Sequence, residues 1–165
     1  MGANVEFHKA ARHITALKSL GLRPELSLSI QRNKYPKFEV SYLRFAAPTS
    51  LLHARTPSRS EVPIYNMPHV EYARDATNTG SMEDYWRRQH GFSHEADKII
   101  AAEFNRFNKL IADIKKNVFK PVISVLPSLD TGRLTVVDGV HRASTLHSIN
   151  SLGKVECRIP ALLFA

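Results

Sequence analysis

Asp138, Gly139, His141 and Arg142 stand together at the point where a β-branched run, Leu134-Thr135-Val136-Val137, gives way to a helical pattern beginning near His141. Glycine at a strand-to-helix turn lets the backbone approach a ligand closely. The free N–H groups of the new helix's first turn, aided by its dipole, form an anion site. His141 and Arg142 fall in that same turn, where cationic side chains oppose the dipole unless an anion collects them. A phosphate suits this arrangement. The competing arrangement is a structural latch in which His141 and Arg142 pair with Asp138 or another nearby carboxylate.

Other reactive residues make weaker patterns. No GxxxxGK[ST], HExxH or GxSxG occurs, which removes the common NTPase, zinc-protease and α/β-hydrolase readings. His90 and His94 are four apart, but Gly91 and a probable helix cap, Ser93, lie between them, so they do not share the helix face that a metal pair needs. Trp86, between Tyr85 and Arg87-Arg88, suits either stacking on a base or sugar or anchoring in the core. The single cysteine, Cys157, can form neither an internal disulfide nor a Cys-rich zinc site, which fits a reducing compartment.

The elements that must position these residues follow from periodicity. Phe7, Ala10, Ala11, Ile14, Leu17 and Leu20 recur at helical spacing, and Gly21 follows where a left-handed C-cap is favoured. Alternation over Leu26–Ile30 and Phe38–Tyr42, around a turn-like QRNKYP, predicts a β-hairpin. Ala46 to Arg59 loses the pattern and reads as a loop. A helix is expected to start near His69 and another near Ser81. Ser93 caps a third, striped by Ile99, Ile100, Phe104, Phe107, Leu110, Ile111 and Ile114 as core. The last fifty residues read as strand (PVISVLP), DTG turn, strand (RLTVVDG), helix closed by Gly153, and strand (VECRIPALLFA).

The 165 residues suit one ordinary domain, and 43% hydrophobic with 23% charged residues excludes wholesale disorder. No apolar run approaches the ~20 residues of a membrane span, and the N-terminus lacks a signal-peptide core, so a soluble cytoplasmic protein is expected. The net charge of +8 is concentrated: residues 1–60 hold 10 Lys/Arg against 3 Asp/Glu. Such a surface attracts a polyanion, whether nucleic acid, lipid, glycan or acidic protein, or it serves solubility alone.

Residues 121–153, PVISVLPSLDTGRLTVVDGVHRASTLHSINSLG, resemble the signature of the ParB/sulfiredoxin superfamily: a Pro-Ile/Val-x-Val strand, a turn, and a strand ending in an Asp-Gly-x-His-Arg type motif before a helix. The resemblance implies an α+β fold with a mixed sheet and helices, preceded here by an N-terminal helix. It divides the chain into a basic extension over 1–35 and a nucleotide-binding domain over 36–165. Sulfiredoxins carry a reactive cysteine where this chain has Val140. The chromosome-partitioning branch carries a Gly-Glu-Arg-Arg box and continues into helix-turn-helix domains.

The Asp-Gly-x-His-Arg form is most similar to the free-serine kinases of this fold. By that resemblance Gly139, His141, Arg142 and Ser144 bind nucleotide phosphates. Asp138 stands beside the phosphoryl group or its Mg²⁺, and His141 also joins the catalytic set. ATP or ADP with Mg²⁺ is then the expected cofactor pair, and a small hydroxyl compound or glycan the acceptor. The alternative is a ParB-like regulatory or DNA-associated module that binds nucleotide without transferring phosphate.

Those kinases use a glutamate after a Pro-His segment as general base. Pro68-His69-Val70-Glu71 therefore makes Glu71 the candidate base, with His69 and Arg74 as accessory residues. Glu71 as an exposed helix residue, and Arg74 paired with Asp75, are the alternatives.

Overall fold

The computed structural model describes residues 12–31, 38–118, 121–128, 131–151 and 157–164. Helix α1 is described over residues 12–19 and ends as expected. Gly21 stands at φ +73°, its N–H reaching Lys18 O (2.9 Å) and the Leu22 N–H reaching Leu17 O (3.0 Å), which satisfies two of the last carbonyls. Phe7, Ala10, Ala11, most of the QRNKYP turn and Gly153 lie outside the described residues.

Strands β1 (Glu25–Gln31) and β2 (Phe38–Pro48) pair antiparallel, as the alternation requires. β3 (Leu52–Arg55) and β4 (Glu61–Pro63) follow, then helices α2 (Pro68–Arg74), α3 (Gly80–His90) and α4 (His94–Lys115). β5 (Ile123–Ser128), β6 (Arg133–Asp138), α5 (Val140–Asn150) and β7 (Arg158–Phe164) close the chain. The protein is α+β, built on one mixed sheet in the order β1-β2-β7-β5-β6-β3-β4, with β3 parallel to β6 and β5 parallel to β7.

The expected loop over Ala46–Arg59 is corrected. β2 runs on to Pro48, and β3 inserts between β6 and β4, so only a 3-10 turn at Thr49–Leu51 and residues 56–60 connect strands. Leu52 and Ala54 are fully buried, and so short an alternation is hidden in sequence by the prolines and serines around it. One buried cluster unites Leu17 and Leu22 of the N-terminal extension with Leu43, Phe45, Ala47, Leu134, Val136 and Ile159 of the sheet. The extension over 1–35 therefore contributes to the same core as the rest of the chain.

Helices α2, α3 and α4 form a second cluster around Tyr72, Met82, Trp86, Ile100, Phe107 and Ile111. Ser93 caps α4 by accepting from the Ala96 N–H at 3.1 Å. The α4 stripe holds except at Ile99, which is exposed because it precedes the inward-facing Ile100 by about 100° of helix rotation.

Candidate functional site

β6 ends at Asp138 and α5 begins at Val140, so Gly139 alone makes the turn, at φ +92°. That angle disfavours any L side chain, and a Cβ there would lie 2.9 Å from Arg142 Nε and 3.1 Å from Ile123 Cγ2. Gly139 offers no side-chain cap to α5. Its carbonyl takes the Ala143 N–H at 2.8 Å, while the three preceding N–H groups belong to the helix's open first turn.

Arg142 Nη2 donates to Asp138 Oδ2 across this turn. The latch weighed from the sequence is thus made by Arg142, and an incoming anion would compete with Asp138 for the guanidinium. His141 takes no part in it. Its ring lies against Phe107 (centroids 4.7 Å, planes 29° apart) and against His69 (4.7 Å).

His69 is almost wholly buried, edge-on to Tyr85 at 4.6 Å and to Phe107 at 5.7 Å. Burial holds its pKa well below 6.5, and the neighbouring His141 lowers it further. Burial also lowers His141, opposed by the Glu103 carboxylate. Burial therefore favours the neutral form of both imidazoles. His69 Nδ1 has no hydrogen-bond partner among the described residues.

These residues line one cavity of about 490 Å³, which brings Asp138, Gly139, His141 and Arg142 together with His69. Gln89, His90 and Glu103 complete its polar lining. No sequence pattern marked Glu103 or Gln89. Phe107 was legible only as core, yet it supports the His141 ring. Trp86 is a buried anchor, packed edge-on to Phe104 at 4.5 Å.

Glu71 does not join this lining, which corrects the expectation of a cleft shared with Asp138. It is exposed, accepts from Ser81 Oγ at 3.2 Å, and lines a second cavity of about 450 Å³ with Thr56, Ser58, Ser60, Asp84 and Arg88. Helix rotation is the cause: Glu71 lies about 200° around α2 from His69, so the two point to different sides. Arg74 shares the exposed side with Glu71. It does not pair with Asp75, whose carboxylate is held by Thr77 through its Oγ1 at 2.7 Å and its N–H at 3.0 Å. Arg74 instead helps lower the pKa of His147, after burial.

Ser144 is also corrected. It is fully buried beside Ala143 and Thr145, away from the cavity lining, because α5 turns this face toward the core. Among the described residues no group of three or more His, Cys, Asp or Glu is arranged to hold a metal ion, and no helix is long and apolar enough to cross a membrane. In comparisons with known proteins, the chain matches no family model, no curated protein and no solved structure.

Proposed function

We propose that the cavity at the start of α5 binds the phosphates of ATP or ADP, and that the protein is a kinase-like phosphotransferase acting on a hydroxyl of a small molecule or glycan. The observation that carries this reading is the meeting of Asp138, Gly139 and Arg142 at an uncapped helix N-terminus on a cavity of nucleotide-phosphate size. Arg142 would exchange Asp138 for a phosphate oxygen, gaining a fork of charge-assisted hydrogen bonds. His141 and His69, favoured in their neutral forms by burial, add no charge to the wall, and a neutral imidazole can both donate and accept one hydrogen bond.

Mg²⁺ fits this donor set. It takes one or two carboxylates and completes its shell with phosphate and water, and release from Arg142 leaves the exposed Asp138 carboxylate available for that role. When bound, it would neutralise charge developing on the transferred phosphoryl group. With Glu71 outside the lining, the acceptor's proton falls to a carboxylate inside it, Asp138 or Glu103.

A second reading, a module that binds nucleotide without transferring phosphate, is favoured by that same separation of Glu71 from Asp138. A thermal-shift panel of nucleotides with and without Mg²⁺ tests binding, since ligand at 100 times its Kd adds about 2.7 kcal/mol. Nucleotide consumption, followed over a set of amino-acid and sugar acceptors, then separates the readings. The kinase reading expects turnover that Asp138→Asn abolishes while binding remains, and binding without turnover selects the module. A flat panel overturns both.

A further inference from the structure

The turn that ends α1 carries Arg23, and the first residue of β7 is Arg158. With Gly21 and Ala46 they line a separate cavity of about 380 Å³, which shares no residue with the one at α5. Ala46 and Arg158 are the exposed members of strands whose next residues, Ala47 and Ile159, are in the core. The cavity therefore opens on the side of β2 and β7 that faces away from that core. Arg44 is exposed two residues along β2, on the same side as Ala46.

Among the described residues none of Arg23, Arg44 and Arg158 forms an ion pair. The carboxylate nearest in register is Glu25, the cross-strand partner of Arg44, outside the cavity lining. Two exposed guanidinium groups share a hollow lined otherwise by a glycine and an alanine, with no carboxylate in that lining, so a bound anion would relieve their mutual repulsion. Two of the carbonyls at the end of α1, those of Leu17 and Lys18, which would otherwise repel an anion, are engaged by the Leu22 and Gly21 N–H groups.

We infer that this cavity is a second anion site, which receives one compact phosphate group of a small phosphate ester through Arg23 and Arg158. Paired arginines match the geometry of phosphate oxygens bidentately. A four-residue hollow suits a single terminal phosphate better than the repeating charge of a nucleic-acid backbone.

The test is a titration of the ¹⁵N-labelled full chain with inorganic phosphate and, separately, with a sugar phosphate, each against chloride at matched ionic strength. Saturable shifts of the Gly21 and Arg23 amides are expected in the wild type and in Arg142→Ala. Affinity should weaken about tenfold or more in both Arg23→Ala and Arg158→Ala, with Arg→Lys at either position recovering part of it. Retention in Arg142→Ala separates this site from the nucleotide cavity, so failure of one assignment leaves the other standing. No saturable shift, shifts unaffected by both alanine variants, or a response only to oligonucleotides that strengthens with their length would each overturn the inference.

Discussion

The cavity at α5 and the cavity beside Glu71 both take Tyr85 into their walls, yet they are built from opposite materials. The first has Trp86 and Tyr85 in its wall and two imidazoles packed among aromatic rings, with Phe107 against His141, Asp138 and Arg142 at the turn and Glu103 on α4. The second is walled by hydroxyls, those of Thr56, Ser58 and Ser60 bonding one another, with Glu71, Asp84 and Arg88 exposed around them. In the first, positions are fixed by packing, so a lost side chain disturbs its neighbours. In the second, positions are held by exposed polar contacts that water can replace. The difference predicts where substitutions will matter.

Phe107→Ala should have the largest effect. It removes the ring that supports His141, contacts His69 and stacks with Tyr72, and truncation of a buried phenylalanine typically costs about 3–5 kcal/mol. Ser58→Ala in the other cavity should stay within about 0.5 kcal/mol. Denaturant unfolding measures both. Equal losses would erase the contrast between a packed and a solvated site.

Arg142→Ala comes next. Nucleotide affinity should fall about 10- to 100-fold, the equivalent of a charge-assisted contact of roughly 1.5–3 kcal/mol. Arg88→Ala, in the second cavity, should leave it unchanged. Calorimetric titration of the folded variants decides this. The opposite ranking would move the phosphate to the Glu71 side.

The third test concerns pH. His69, His141 and His147 have pKa values lowered by burial, His69 well below the usual value, so the folded protein resists protonation that the unfolded chain accepts below about 6.5. The stabilisation is present above pH 6.5 and is lost as pH falls from there toward the folded values, at up to about 1.4 kcal/mol per pH unit for each imidazole. His69→Phe retains the ring packing and removes one titrating group, so unfolding measured from pH 7.5 to 5 should show a shallower slope. An unchanged slope would place the pH dependence outside His69.

Which parts were legible in the sequence follows from the range of the interactions that set them. The Gly139 turn, the Ser93 cap, the Gly21 helix end and the strands around Asp138 are local, each fixed by a few neighbouring residues, and they appear where the pattern put them. The N-terminal hairpin was likewise visible as alternation. β3 was not, because four residues between Leu51 and Thr56 are too few to establish a period; their order comes from pairing with β6, some eighty residues away. The site was read in halves. The strand-to-helix turn located Arg142 and the likeness of Pro68-His69-Val70-Glu71 to a known motif brought in His69, but only packing brought α2 against α5 and made Glu103 a wall of the same cavity. Ser144 and Glu71 were assigned by motif position, whereas the rotation of their helices turned one into the core and the other toward solvent.

Glu71→Gln should produce the smallest change, and it bears most directly on the boundary between the two cavities. Gln keeps the shape of the side chain and an oxygen that can still accept from Ser81 Oγ, so stability should stay within about 0.5 kcal/mol. Nucleotide affinity should also be unchanged, since Glu71 is absent from the lining that holds Asp138 and Arg142. With the proton accepted by a carboxylate inside that lining, turnover is expected to persist in Glu71→Gln and to fail in Asp138→Asn or Glu103→Gln. A general base normally contributes about 10²-fold or more, so single-turnover rates resolve the assignment without ambiguity from small changes in binding. If Glu71→Gln loses ~10²-fold in rate with binding intact, the nucleotide-bound protein must bring the second cavity to the first. Tyr85, the residue common to both walls, is then the place to look for that closure, by comparing amide exchange across α3 with and without nucleotide.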